Sequence, residues 1–98
     1  PNKKIVGEIL TMIRYYKDIN YLLLRDKLYE IFIYNLNLNE CIWEIFKNIV
    51  DEYNLSDDKI NLILLETYNF FKFYNNNYRP IYHLEKFVLC LCKIIYEL

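Results

Sequence analysis

A chain of 98 residues, 55% of them apolar and 18% aromatic, suits one domain with a single core and is far too hydrophobic to stay disordered. Its 12 basic and 13 acidic residues leave a net charge of −1 with no block of one sign, against the basic face of a nucleic-acid binder. So much apolar surface is generous for a domain this small, and part of it is expected to lie against a partner.

One glycine and two prolines leave room for long helices, and five segments carry helical periodicity. The first, about residues 3–16, places Ile5, Val6, Ile9, Met12, Ile13 and Tyr16 on one side, with Lys4, Glu8, Thr11 and Arg14 opposite. The second, about 21–34, has two stripes: Leu24, Leu28, Ile31 and Phe32, then Leu22, Tyr29 and Ile33. A helix apolar on two sides is expected at the centre of a bundle.

Asn37 followed by Glu40 is a capping-box start for the third helix, whose stripe is Ile42, Ile45, Phe46, Ile49 and Tyr53. The fourth follows Ser56, with Asp57 and Asp58 suiting the dipole of its first turn. Its expected core stripe is Ile60, Ile63, Leu64, Thr67, Tyr68 and Phe71; Leu62, Leu65 and Phe73 point elsewhere. Asn75-Asn76-Asn77 is read as its stop, since asparagine tolerates the left-handed conformation of a helix end.

Pro80 takes the favoured first position of a fifth helix that runs to the last residue, with Ile81, Leu84, Val88, Leu91 and Ile95 inward. Tyr82, Leu89 and Tyr96 form a line about 100° away. The expected fold class is all-α, a compact five-helix bundle with short loops.

Catalytic and metal chemistry find little footing. Cys90 and Cys92 lie two residues apart on a helix, point about 200° from each other and cannot share an ion. With Cys41 they make an odd count inside apolar patterns, which speaks for a reducing compartment rather than a disulfide framework. His83 has Tyr82 and Lys86 nearest and no nucleophile to serve. Adjacent Asp57 and Asp58 diverge, so they read as a helix cap rather than an acid–base pair or a magnesium site. A single glycine, Gly7, builds no phosphate loop. No apolar run reaches membrane-span length, and the first residues carry no signal-peptide pattern. The opening Pro1-Asn2-Lys3, without an initiator methionine, reads as the edge of a piece cut from a longer protein.

The tail Pro80-Ile81-Tyr82-His83-Leu84-Glu85-Lys86-Phe87-Val88 resembles the "A-I-Y-H-L-E-A-F-V" stretch of a eukaryotic replication factor C (clamp loader) small subunit, the one numbered three or five. Leu28-Tyr29-Glu30-Ile31-Phe32 resembles that family's "L-Y-E-L-L", and Arg25 before Lys27-Leu28-Tyr29 matches an "R-G-K-L-Y"-like lead-in. The likeness spans about Leu22 to the end. It departs where Asn69-Phe70-Phe71-Lys72-Phe73 replaces "Y-E-H-R", where Asn77 stands for a turn glycine, and where Asn37-Leu38 stands for Pro-Pro.

The resemblance implies a C-terminal collar domain, residues 1–98, from a longer AAA+ protein in a nuclear five-subunit machine that loads the sliding clamp onto primed DNA. Its partners would be the other subunits, packed side by side in the collar. Clamp and primer-template DNA would be met only through the full complex. ATP and magnesium would belong to the AAA+ module, leaving this segment with no catalytic role, no cofactor and no membrane contact. Helical geometry, not the family, names the expected subunit interface: Leu62, Leu65, Phe73, Tyr82, Leu89 and Tyr96. The alternatives are a free-standing helical adaptor for an unrelated protein and, less in keeping with the charge, a nucleic-acid-binding bundle.

Overall fold

The computed structural model describes residues 2–74 and 80–98. Among them run five α-helices and no strand: α1 (Asn2–Arg14), α2 (Tyr21–Ile33), α3 (Leu38–Glu52), α4 (Asp57–Tyr74) and α5 (Pro80–Tyr96). The all-α bundle is thus as expected. α1 is shorter than its pattern suggested; the chain leaves it through a 3-10 turn at Tyr16–Asp18. The Asn75–Asn77 stop lies outside the described residues.

Three helix starts are fixed by short polar side chains. The Asn20 side chain accepts from the N–H groups of Leu22 and Leu23 at 3.0 and 3.2 Å and starts α2. Asn37 accepts from the N–H of Glu40 at 3.1 Å and starts α3. The other half of that capping box is not made, because the Glu40 carboxylate accepts from the Asn2 side chain at 3.1 Å and ties α3 to α1. Ser56 Oγ accepts from the N–H of Lys59 at 3.3 Å at the head of α4. α2 ends on Asn35 at φ 52°, where Asn35 N–H donates to Phe32 and Leu36 N–H donates to Ile31. That is a Schellman cap with asparagine in the left-handed position.

The helices close a ring in which each packs on the next: α1, α2, α5, α4, α3 and back to α1, with α1 and α5 also touching across the middle. The Cα radius of gyration is 12.6 Å, the value of a compact chain of about 100 residues. α5 contributes the most core, burying Ile81, Leu84, Phe87, Val88, Leu91, Cys92 and Ile95. α1 and α3 bury most of the stripes read from their periodicity, with Cys41 and Leu38 added to α3, while Met12, Tyr16, Phe46 and Tyr53 are only partly buried.

Two faces differ from expectation. α2 buries Leu24, Leu28 and Ile31, but its second stripe of Leu22, Tyr29 and Ile33 faces water, so the helix is peripheral. α4 buries Ile63, Thr67 and Phe70, while Leu64 and Tyr68, read as core, are exposed. Phe70 takes their place because its ring reaches both Tyr74, stacked at 5.5 Å, and Phe87 of α5 at 5.3 Å. Thr67, wholly buried, satisfies its hydroxyl on the Ile63 carbonyl at 2.8 Å.

Ion pairs brace the outside of the ring. Arg14 pairs with Glu52 across α1 and α3. Lys27 joins Glu8 of α1 and Glu30 of its own helix, and the two carboxylates hold its ammonium above the usual lysine range. Arg25 donates from Nε to Glu85 Oε1 at 3.1 Å, with a second nitrogen 3.0 Å from the same oxygen, and fastens α2 to α5.

Gly7 sits exposed within α1, and a Cβ there would meet nothing within 4 Å. Glycine inside a helix costs about 0.5–1 kcal/mol relative to alanine. Gly7→Ala is expected to raise the melting temperature by about 3–6 °C, read by circular dichroism. A lower melting temperature would mean that α1 needs the bare backbone at this position.

Candidate interaction surface

Among the described residues no group of three or more His, Cys, Asp or Glu side chains could hold a metal ion, and no helix is long and apolar enough to cross a membrane. All three cysteines are free thiols, and burial raises each, Cys92 up to about 11. Such thiols stay protonated near neutrality and are poor nucleophiles. His83 lines a groove of about 150 Å³ between α4 and α5 with Glu66, Asn69, Phe73, Lys86 and Cys90. The groove floor is Phe70 and Phe87, so its character is an apolar cleft with a polar rim.

What the bundle does present is large apolar side chains in water. Leu62, Leu65, Phe73 and Tyr82 are 50%, 55%, 51% and 50% exposed. They stay outside because α4 packs mainly on α3 and α5, leaving a wide arc of its circumference free. Phe73 borders the α4–α5 groove; Tyr82 and Leu89 border a shallow depression along α5 with Glu85 and Lys93. Lys86 and Cys90 belong to both, so the α4 and α5 surfaces are continuous. The Arg25 guanidinium stands 5.9 Å from the centre of the Tyr82 ring, a cation–π distance that limits where the ring can swing.

The six residues read from helical geometry therefore do not behave alike. Four are half exposed, and Leu89 is partly buried against the core. Tyr96 turns into the bundle: its hydroxyl donates to the Ile13 carbonyl at 2.9 Å, with Arg14 O at 3.2 Å. Its ring stacks on Tyr16 with centroids 4.0 Å apart. The line from Tyr82 to Tyr96 is thus broken at its far end, where the end of α1, Tyr16 and Tyr53 close over Tyr96.

Sequence reasoning missed several exposed side chains. Trp43 of α3 remains 42% exposed although its ring meets Phe46 and Phe71, both at 5.7 Å. Tyr68 and the Leu22, Tyr29 and Ile33 stripe face water where the periodicity places them inside. For α4 the competing stripes Ile60-Leu64-Thr67-Phe71 and Ile63-Thr67-Phe70-Tyr74 share Thr67 and differ by a fraction of a turn, so periodicity alone does not choose. Comparison with protein-family models, with curated proteins and with solved structures finds no match to this chain.

Proposed function

We propose that this chain is an assembly domain, a helical bundle that packs through its α4–α5 face into the collar of a clamp loader of the replication factor C kind. The observation that carries the assembly part is that Leu62, Leu65 and Phe73 of α4 and Tyr82 of α5 each leave about half their area in water. Interfaces between permanent subunits are large and apolar, with aromatic anchors at their centres. The collar part rests on the likeness of the Tyr82-His83-Leu84-Glu85 and Leu28-Tyr29-Glu30 segments to that family. In this reading the domain has no chemistry of its own. ATP and magnesium would be handled by an AAA+ module elsewhere in the protein, clamp and primed DNA would be met through the whole complex, and the site of action would be the nucleus.

The test is capture of recombinant replication factor C subunits by the tagged chain, beside a Leu62→Asp, Leu65→Asp, Phe73→Asp variant checked for helicity. Capture of one or two subunits by the wild type alone supports both the collar and this face. Capture by both proteins keeps the collar and discards the face. A folded wild-type chain that captures none of the subunits favours the alternative, a free-standing adaptor for an unrelated protein.

A further inference from the structure

A second apolar surface runs along α2, separated from α4 in the ring by α5 on one side and by α1 and α3 on the other. Leu22, Asp26, Tyr29 and Ile33 are all exposed, Leu22 and Ile33 at 72% and 71%. Their spacings are four, three and four residues. That is the seam along which one helix lies on another at about 20°, knobs into holes, with alternating a and d positions. From Leu22 to Ile33 it extends about 16 Å, three turns of helix.

Charges beside the seam are already engaged. Arg25 is held by Glu85, and Lys27 by Glu8 and Glu30. Asp26 has no ion pair among the described residues. It occupies an inner position of the seam, between Leu22 and Tyr29. A carboxylate covered by a wholly apolar partner would lose its water without compensation. A charged or polar residue at one seam position selects the partner that answers it and fixes the register.

We propose that the outer face of α2 is a docking site for a single amphipathic helix of a partner, about three turns long, whose apolar stripe carries one lysine or arginine opposite Asp26. The assignment does not depend on what the α4–α5 face binds.

The test uses helix-stabilised peptides of about three turns with leucines at the same four-three-four spacing and either arginine or glutamate at an inner seam position. Binding to the whole chain is followed by fluorescence anisotropy, and the contact is mapped by amide chemical-shift changes. The arginine peptide is expected to bind at least about tenfold tighter than its glutamate twin, with shifts centred on Leu22, Tyr29 and Ile33. Asp26→Lys, at an exposed position that leaves the fold intact, is expected to reverse that preference, and Asp26→Asn to abolish it. Equal affinity for the twins, a preference untouched by either variant, shifts centred on α4, or no saturable binding up to about 1 mM would each overturn the assignment.

Discussion

Truncating Leu91 to alanine is expected to cost the bundle about 3–4 kcal/mol, the largest loss anticipated from any single exchange considered for this chain. Leu91 is fully buried near the middle of α5, the helix that packs on α4, α2 and α1. Removing its three outer carbons forfeits their transfer out of water and leaves a cavity that helices held from three sides cannot close. A domain of this size is stable by about 5–15 kcal/mol, so the loss takes a large share. The melting temperature should fall by roughly 12–25 °C. Leu91→Met, which keeps the volume, should cost under about 1.5 kcal/mol, and Leu89→Ala, on the partly exposed side of the same helix, less than Leu91→Ala. Denaturant unfolding of the three variants measures this. Equal losses at positions 89 and 91 would mean that α5 is rotated from the placement described.

The contrast between those neighbours also marks what the sequence discloses about this fold. Signals that act within one turn were legible: Pro80 at the head of α5, Ser56 before α4 and Asn37 before α3 each follow from the local supply of N–H groups. Asn35 acts by the same chemistry read for Asn77 and was legible in principle. Faces were legible where a helix is apolar on one side only, as in α1 and α3. In α2 and α4 nearly every side of the helix carries leucine, tyrosine or phenylalanine, and the buried side is chosen by contacts with helices far off in sequence. Periodicity cannot contain that choice. The surplus of apolar surface was visible in composition, whereas its division between an α4–α5 face and an α2 seam was not.

The segments 25–32 and 81–88 have a structural logic of their own. Leu28, Leu84, Phe87 and Val88 are core, and Arg25 and Glu85, from two separate stretches, meet as the bridge between α2 and α5. Tyr29 and Tyr82 are exposed, Tyr82 lying over Arg25. The segment 69–73 is divided differently: Phe70 fills the core, Phe71 meets Trp43, and Phe73 faces out beneath Lys72. The first two segments therefore act mainly on how α5 seats against α2, while 69–73 shapes the α4 surface. In the assembly proposed above, partner choice rests on the 69–73 segment, and exchanges at Phe73 should alter which partner binds more than they alter stability.

Tyr96→Phe is expected to cost about 1–3 kcal/mol, although it removes one oxygen from a side chain that keeps some exposure. The hydroxyl has a single hydrogen, and carbonyls can only accept, so that hydrogen goes to Ile13 and Arg14. The 3.0 Å contact with Tyr53 must then be donated by Tyr53. Ile13 and Arg14 are the last two residues of α1, whose carbonyls have no partner within the helix. One oxygen thus joins the C-terminal end of α1, the cap residue of α3 and the last turn of α5, and deleting it leaves two carbonyls and one hydroxyl short of a partner. Tyr53→Phe, which removes only a donor, should cost less. The same contacts have a pH signature. Burial first, then the bond to Tyr53, hold the Tyr96 phenol well above its ordinary value, and burial holds Cys92 near 11. Both acids ionise more readily in the unfolded chain. Their contribution is therefore complete below about pH 9 and is lost as pH rises, through Cys92 first and Tyr96 after it. Urea unfolding between about pH 7 and about pH 11 should show stability falling in the upper half of that range, less steeply in Tyr96→Phe than in wild type. An equal slope in the two proteins would remove Tyr96 as the clasp of these three helix ends.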